Sequence, residues 1–511
     1  MRNPTILIVT PEITYLPKGM GNLANRMTAK AGGLADVSSS LVAALYNMGA
    51  DVHVALPHYR RMFHVDVARL ISEELRTYLN KLPEDRVHLA EDRIFYHRDT
   101  VYSDEQRENV KLSLSFQREV INNIIPTVRP NLVHVNDWMT GLVPAYARRL
   151  GIPSLFTLHN IHTQYTTLEE IEDRGIDAED FWQYLYYAGM PADYRSTRSS
   201  NPVDMLTSGI FASHFINTVS PTFLKEIVEG RHDFVPPNAR REISNKHLAG
   251  CAEGITNAPD PSYDPRSDSS LVQKYDEEGH AAGKRNNKLA LQGTLGLEPC
   301  ADAPLFFWPS RLDPNQKGCD LLAEILPEMV SRWRSEKIQV AFVASGPYFG
   351  RLQQVVSAYG LASSVAAHPF REDLSRLGYA AADFVLMPSR FEPCGLPQMI
   401  GMKYGAVPIA FDTGGLHDTI EPFSPDYSSG NGILFEVHDA QGLLWAVSEA
   451  MRFYLQPPRL RAATVARIMK QAMARFNLER TASRYVALYE KMLARPLVKR
   501  TNASKRKRKP F

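Results

Sequence analysis

The sequence contains no apolar run long enough to cross a membrane as a helix, so we do not expect a membrane protein. Its formal net charge is only +2, which argues against a nucleic-acid-binding protein, because such a protein carries a strongly basic face. The sequence also lacks internal repeats of solenoid period. Its cysteines form no pairs with metal-ligand spacing, which suits a reducing cytoplasm.

The beginning of the chain leaves no room for a signal or transit peptide, because a predicted strand starts at Thr5. We therefore expect a cytoplasmic protein. At 511 residues, of which 44% are hydrophobic and 22% charged, the chain has the composition of a soluble globular protein. It is also longer than one core usually organises, so two domains are expected.

The most informative part of the sequence extends from residue 384 to residue 419. Two apolar strands, 384–387 and 407–411, each lead through a glycine-containing loop into a short helical pattern. Such loops direct backbone N–H groups at an anion, and ligands of parallel sheets bind where the strands end. Because Glu392 lies in the first loop, we predict half of a site for a phosphate-bearing ligand beside a carboxylate. Two ordinary tight turns are the alternative.

A second strand–loop–helix unit lies near the start of the chain. Residues 5–10 predict a strand, and apolar residues from Leu34 to Met48 recur at helical spacing until Gly49. Lys30 opens the glycine-rich turn before this helix, and the turn lacks the dinucleotide-binding pattern G-x-G-x-x-G. A solvated loop lysine is the alternative interpretation of Lys30.

Polar residues follow two further strands of the first half. Strands predicted over 132–135 and 154–158 end near Asp137 and His159, which places both side chains on the rim of one sheet. The alternative for His159 is a structural imidazole.

Two cations follow a strand of the second half. The strand predicted over 305–308 leads to Arg311 and Lys317. A guanidinium fork and a mobile ammonium group suit a diphosphate ligand. The alternative is that both side chains are solvated on the surface.

Together these segments resemble the donor-binding signatures of bacterial glycogen synthases and plant starch synthases. The matching segments are Lys30–Val37, His134–Trp138, Gly254–Asp260, Arg311–Gly318, Arg390–Leu396, Lys403–Gly405 and Thr413–Leu416. The resemblance covers nearly the whole chain and is strongest at residues 30–37 and 388–419.

The sequence departs from the family pattern in four places. Ala258 and Pro259 replace a glycine and an isoleucine of the hinge, and proline restricts the backbone there. The loop between Arg311 and Lys317 is longer by one residue. Thr207 stands where the family commonly has lysine, and residues 15–27 lengthen the loop before Lys30, as a flap or as a tolerated insertion.

The resemblance implies an α/β chain with the GT-B arrangement, in which two Rossmann-like domains face each other across a cleft. The implied parts are an N-terminal acceptor-side domain (1–255), a linker or hinge (256–303), a nucleotide-sugar domain (304–475), a helix returning to the first domain (476–495) and a basic, disordered tail (496–511).

The resemblance also implies a function. It is retaining transfer of glucose from a nucleotide sugar, ADP-glucose in the first instance, to the non-reducing end of an α-1,4-glucan. The expected partners are therefore the α-glucan acceptor and the nucleotide-sugar donor, with no nucleic acid and no membrane. No metal and no cofactor are expected. The choice between ADP and UDP and the oligomeric state stay open.

The implied site residues form two groups. The catalytic group, which supports the reacting sugar, is Glu392, His159 and Asp137. The donor-binding group is Lys30, Gly33, Asn257, Arg311, Lys317, Phe370, Cys394, Gly395, Leu396, Thr413, Gly414 and Gly415. For Phe370, packing in the core is the alternative to contact with the nucleotide base.

Two other functions remain open. One is a retaining glycosyltransferase of the same fold with a different acceptor. The other is a catalytically degenerate glucan-binding protein, which the altered hinge and the longer phosphate loop motivate. A hydrolase with paired carboxylates is disfavoured, because Ile400 stands eight residues after Glu392.

Two local segments carry structural expectations of their own. Residues 93–96 predict a strand. Residues 181–187 are rich in aromatic side chains, and they predict either a carbohydrate-binding face or an amphipathic helix with its rings turned inward.

Overall fold

The computed structural model describes residues 3–17, 19–20, 27–63 and 86–498. These residues form two compact units. The described residues of the first unit fall within Met1–Val219, Leu224–Ile255 and Leu478–Phe511, and the second unit comprises Ser220–Phe223 and Thr256–Asn477. The basic tail predicted at 496–511 lies outside the described residues from 499 onward.

Apolar runs of the sequence form the strands. They are β1 (Thr5–Val9), β2 (Asp51–Pro57), β3 (Val87–Ala90), β4 (Leu132–Asn136), β5 (Ser154–Leu158), β6 (Tyr165–Thr166), β7 (Val203–Asp204), β8 (Phe215–Thr218), β9 (Ala252–Gly254), β10 (Leu305–Trp308), β11 (Gln339–Val343), β12 (Val365–His368), β13 (Phe384–Met387), β14 (Val407–Phe411) and β15 (Ile433–Phe435).

The α-helices alternate with these strands along the chain. They are α1 (Gly33–Asn47), α2 (Arg93–Tyr96), α3 (Gln106–Glu119), α4 (Ile125–Val128), α5 (Val143–Arg149), α6 (Leu168–Asp173), α7 (Tyr194–Thr197), α8 (Met205–Ala212), α9 (Pro221–Glu229), α10 (Pro237–Leu248), α11 (His280–Leu295), α12 (Cys319–Arg332), α13 (Phe349–Ala358), α14 (Glu372–Ala381), α15 (Pro397–Lys403), α16 (Gly414–Thr419), α17 (Ala440–Tyr454), α18 (Pro458–Arg475) and α19 (Leu478–Leu493).

Each unit is built on one parallel sheet. The first has the strand order β3-β2-β1-β4-β5-β8-β9, and the second has the order β12-β11-β10-β13-β14-β15. The register of the first sheet pairs Ile6 with Val52 on one side and with Leu132 on the other. The strands of a parallel sheet are covered on both faces, which explains their continuous apolar sequences. In both sheets the strand order reverses beside the first strand of the unit, β1 or β10, as in doubly wound folds.

The prediction of a strand at Arg93–Tyr96 is wrong, because these residues form the short helix α2. Its start is fixed by Asp92, whose side chain accepts a hydrogen bond from the backbone N–H of Ile94 at 2.9 Å. A short apolar run has no distinct period, so periodicity cannot tell a strand from a helix here. The N-cap favours the helix.

The prediction of a linker at 256–303 is also wrong as a description of this segment. It contains α11, and Tyr275 and Leu291 are buried in the core of the second unit. The Lys284 ammonium donates to the carbonyl oxygens of Ala380 (3.2 Å) and Tyr404 (3.0 Å), at the C-terminal ends of α14 and α15. The polar composition of the segment concealed these contacts, because the charged group binds helix carbonyls rather than solvent.

The aromatic segment 181–187 forms a single 3₁₀ turn over Trp182–Tyr184, so the amphipathic helix predicted there is absent. The rings of Phe181 and Tyr187 are nevertheless buried, whereas Trp182, Tyr184 and Tyr186 are half-buried.

The last helix, α19, belongs to the first unit, where a buried network attaches it to the sheet. Tyr489 and Thr157 lie 2.7 Å and 2.6 Å from the two ring nitrogens of His134. Thr157 donates to the side-chain carbonyl of Asn217 at 2.5 Å, and the Asn217 amide donates to Tyr485 at 3.0 Å. None of the helices in the described part of the chain has the length and apolar character needed to span a membrane.

Candidate active site

Asp137 and His159 meet at the carboxyl edge of the first sheet, as the strand ends predicted. Asp137 follows β4 with φ of 55° and ψ of 179°, a positive-φ conformation that is uncommon outside glycine. One carboxylate oxygen accepts from the backbone N–H of His159 at 2.8 Å, and the other accepts from the side-chain amide of Asn160 at 3.1 Å. The carboxylate therefore ties the end of β4 to the loop after β5.

Burial shifts the protonation of both groups. Removal from water raises the pKa of Asp137 to about 7, although its hydrogen bonds from residues 159 and 160 act in the opposite direction. Burial lowers the pKa of His159 to about 3, so the imidazole is neutral at physiological pH.

The tautomer of His159 follows from its neighbour. The Asn136 amide nitrogen donates to the carbonyl of Val9 at 3.1 Å, which leaves the Asn136 Oδ1 as an acceptor. His159 Nε2 lies 3.0 Å from that oxygen and therefore carries the proton. Its Nδ1 holds a lone pair, so His159 is a neutral, oriented ring.

The turn that carries Lys30 is held at two points. The Lys30 ammonium lies 2.9 Å from the carboxylate of Asp36, which is on α1. The buried Glu12 accepts from the backbone N–H groups of Ala31 and Gly32 at 2.9 Å and 3.0 Å. Gly33 begins α1 and is exposed to solvent.

In the second unit the structure brings Lys317 and Glu392 together. The ammonium and the carboxylate lie 2.6 Å apart, with side-chain exposures of 13% and 7%. Ser389 donates to the same carboxylate oxygen at 3.1 Å. Arg311 is exposed, and its guanidinium lies 3.5 Å from the side-chain oxygen of Gln316. The predicted phosphate-binding cation and the predicted catalytic carboxylate thus form one buried ion pair.

The two glycine-containing loops of the second unit touch backbone to backbone. A Cβ atom at Gly414 would lie 2.1 Å from the Glu392 carbonyl oxygen, and one at Gly415 would lie 2.0 Å from that of Cys394. The Gly415 N–H donates to the Glu392 carbonyl at 2.9 Å. The prediction that this N–H is available to an anion is therefore wrong, because the group already closes the contact between the loops.

The remaining residues of the first loop are fixed by burial and by hydrogen bonds. Cys394 is buried, and burial raises the pKa of its thiol to about 12, so the group is not a thiolate. Gly395 adopts φ of +71°, and its carbonyl accepts from the Gln398 side chain at 2.9 Å. Leu396 is half-buried and Thr413 is buried, immediately before α15 and α16.

Two donor-binding candidates differ in their surroundings. Asn257 is buried, and within the described residues its Oδ1 has no hydrogen-bond partner, which is costly unless a ligand or water supplies one. Phe370 is 52% exposed, so the alternative of core packing is wrong. Its backbone N–H donates to the Ser345 hydroxyl at 3.0 Å.

The comparisons with known proteins agree with this architecture. Residues 5–234 match the model of the starch synthase catalytic domain, and residues 303–452 match that of glycosyl transferases group 1. The chain is similar to a glycogen synthase of Exiguobacterium sibiricum, with 33% identity over 90% of this chain and 95% of the relative. It belongs to the glycogen synthase family.

Other members and a solved structure extend this result. A glycogen synthase of Kosmotoga olearia is 31% identical over 91% of this chain and 95% of its own length. The catalytic domain of starch synthase IV from Arabidopsis thaliana, bound to ADP and acarbose, has a TM-score of 0.75 at 24% identity and covers 97% of this chain and 100% of its own. The family resemblance and the GT-B fold predicted from the sequence are confirmed, and the chain is a glycosyltransferase.

One departure from the glycogen synthase pattern has a structural explanation. Thr207, which stands where the family commonly has lysine, is fully buried at the start of α8. Its hydroxyl and its N–H both donate to Asp204, at 2.8 Å and 2.9 Å. Asp204 therefore caps α8, and Thr207 donates to this cap and presents no charge.

Sequence reasoning missed two residues that shape the candidate site. Glu12 lies in the loop that follows the first strand, a position that could have marked it in the same way as Asp137. Ser389 had no comparable signal, because its role depends on the approach of Glu392. In the part of the chain that the structure describes, no group of three or more His, Cys, Asp or Glu side chains is placed to hold a metal ion.

Proposed function

We propose that this chain transfers glucose from ADP-glucose to the non-reducing end of an α-1,4-glucan, with retention of the anomeric configuration. The observation that carries the proposal is the buried pair of Lys317 and Glu392, 2.6 Å apart beside the two glycine-containing loops. This reaction develops a negative charge on the leaving diphosphate and a positive charge on the sugar. A neighbouring cation and carboxylate can stabilise both.

Cleavage of the bond between the sugar and the phosphate builds negative charge on the diphosphate. Lys317 and the exposed Arg311 supply positive charge to it, and preorganised charges of this kind lower a barrier most effectively in a site sheltered from water. The sugar becomes cationic at the same time. Glu392 supports that charge once Lys317 shifts its contact from the carboxylate to the phosphates.

In the first unit, the neutral His159 is the proposed contact to the donor sugar, and Lys30 is a further proposed contact to the donor phosphates. Asp137 accepts a hydrogen bond from the backbone of His159, and Glu12 accepts one from the turn after Lys30, so both segments are held by buried carboxylates. Asn257, Phe370 and the loop from Cys394 to Leu396 complete the proposed set of donor contacts, together with Gly33 and the loop from Thr413 to Gly415. In that last loop the Gly415 N–H is already bonded to Glu392, so any contact there is made by other atoms.

The choice of ADP follows the family resemblance and the starch synthase IV catalytic domain, which has the same fold and was determined with ADP and acarbose bound. We further propose a cytoplasmic enzyme without a cofactor. The free thiols of Cys251, Cys300, Cys319 and Cys394 suit a reducing compartment.

The deciding experiment incubates the protein with glycogen and either ADP-glucose or UDP-glucose labelled in the glucose. We expect label from ADP-glucose in the polymer, and an α-anomeric signal of the new linkage by proton NMR. Transfer to a small sugar instead of the polymer would indicate a different acceptor. Binding of glucan without consumption of either donor would indicate a degenerate glucan-binding protein.

A further inference from the structure

Glu12 is a buried carboxylate that the proposed reaction does not use directly. It lies three residues after the end of β1 and is only 2% exposed. One of its oxygens accepts from two successive backbone N–H groups, Ala31 at 2.9 Å and Gly32 at 3.0 Å. The other oxygen accepts from the hydroxyl of Tyr102 at 2.6 Å. A single side chain therefore joins three separate parts of the first unit.

The burial of this carboxylate needs a reason, because removing a charge from water is expensive unless its oxygens receive hydrogen bonds. Ala31 and Gly32, which donate these hydrogen bonds, immediately follow Lys30 in the chain. The side chain of Lys30 is 34% exposed, and Asp36 contacts only its tip. The backbone from which the lysine extends is thus oriented by Glu12.

We propose that Glu12 is a positioning residue, which holds the turn after Lys30 so that the lysine meets the donor phosphates at low entropic cost. The inference rests on the proposed function of Lys30 and assigns Glu12 a part in donor binding rather than in general stability. Tyr102 completes the arrangement by holding the carboxylate in place from the loop before α3.

Glu91 provides a matched control. It follows β3 of the same sheet and accepts from a tyrosine hydroxyl, that of Tyr96, at 2.7 Å. It also accepts from Arg60 at 3.2 Å. Among the residues that the structure describes, its side chain bonds to residues 58, 60 and 96 and not to the turn after Lys30.

The first experiment needs no catalytic activity. Hydrogen exchange of the peptide spanning residues 28–35 is compared in the wild type, Glu12→Ala and Glu91→Ala. We expect faster exchange at Ala31 and Gly32 in Glu12→Ala only, since their acceptor has been removed. Unchanged exchange in a folded Glu12→Ala protein would overturn the proposal, whatever the reaction of the enzyme.

The second experiment measures donor KM and kcat in Glu12→Ala, Glu12→Gln, Lys30→Ala and the double variant Glu12→Ala/Lys30→Ala. We expect the donor KM of Glu12→Ala to rise about tenfold with a smaller change in kcat. Glu12→Gln should restore most of the affinity, because its amide oxygen still accepts from Ala31 and Gly32 while the Tyr102 hydroxyl turns to accept from its NH2. The double variant should be no worse than Lys30→Ala alone.

Additive losses in the double variant, or an equal loss in Glu91→Ala, would mean that Glu12 acts through stability and not through Lys30. A wild-type protein that consumes no nucleotide-glucose would instead contradict the proposed function and leave the hydrogen-exchange result to decide on Glu12.

Discussion

The two units of this glycogen synthase family member place their candidate residues at equivalent positions, where parallel strands end, yet they hold them in different ways. In the first unit, buried side chains accept hydrogen bonds from the backbone, as Asp137 does from His159. In the second unit, Lys317 and Glu392 form an ion pair, and glycine-containing loops touch without side chains between them.

This difference has a physical consequence. Where hydrogen bonds from neutral groups compensate a buried charge, burial leaves a large shift in pKa, and Asp137 rises to about 7. Where loops meet backbone to backbone, the geometry depends on the absence of a Cβ atom. The first unit should therefore respond to pH and to the loss of single acceptors, and the second to the loss of charge and to added volume.

The largest effect is expected from Lys317→Ala. Loss of one preorganised charge facing a developing anion costs about 2.7–4 kcal/mol of transition-state stabilisation, or about a hundredfold to a thousandfold in kcat. Arg311→Ala should lose activity comparably without leaving a buried carboxylate unpaired, so its thermal stability should stay closer to the wild type. Lys337→Ala, which removes an exposed ammonium paired with Glu298, is the control. Near-normal kcat in both Lys317→Ala and Arg311→Ala would contradict the proposal that these side chains stabilise the diphosphate.

The next prediction compares the two units by adding a methyl group at one glycine in each. Gly415→Ala would place a Cβ atom 2.0 Å from the Cys394 carbonyl oxygen, whereas no atom of the described residues lies within 4 Å of a Cβ atom at Gly32. We expect Gly415→Ala to lower the free energy of unfolding by about 1–3 kcal/mol or more, and Gly32→Ala to change it little. Denaturant titration of both variants measures the contrast, and equal stability would show that the second unit's loops can separate.

The pH dependence of the free energy of unfolding should show the contribution of Asp137. Its folded pKa of about 7 exceeds the ordinary value of 3.8, so the folded state retains a proton that the unfolded state loses. This carboxyl therefore lowers the free energy of unfolding as pH rises from about 4 to about 7, by up to about 1.4 kcal/mol per pH unit.

Asp137→Asn removes this contribution. The stability of the wild type relative to the variant should fall through that pH window and stay constant above it. His159 has a depressed pKa and acts in the opposite direction, but it is present in both proteins, so the difference isolates Asp137. Asp302→Asn, which changes an exposed carboxylate paired with Arg285, is the control. A flat difference for Asp137→Asn would contradict an ionisation near neutrality.

The smallest expected effect concerns the helix α19. The Thr157 hydroxyl donates to Asn217, so His134 Nε2 must donate to Thr157 and His134 Nδ1 must accept from Tyr489. Tyr489→Phe leaves that nitrogen without its donor and should cost about 1–3 kcal/mol of stability. Tyr359→Phe, at an exposed ring, serves as the control in thermal unfolding. No loss in Tyr489→Phe would mean that water replaces the hydroxyl.

Much of the architecture was predictable because it is encoded locally. Continuous apolar runs identify the parallel strands, and glycines mark the loops that follow them. Since ligands of such sheets bind at the carboxyl ends of strands, Asp137, His159 and Lys317 could be named as candidates before their contacts were known. Helix α2 escaped prediction because a segment of four residues is too short to show a distinguishable period.

What the tertiary structure alone decided are the contacts between residues far apart in the chain. The bond of Glu12 to the turn after Lys30, the pairing of Lys317 with Glu392 and the occupation of the Gly415 N–H each join separate loops. The same holds for the pKa of Asp137, which depends on burial. The amino-acid sequence by itself determined the strands and the types of side chain at their ends, because these depend on neighbouring residues. The partner of each side chain depended on how the strands and loops are arranged in space.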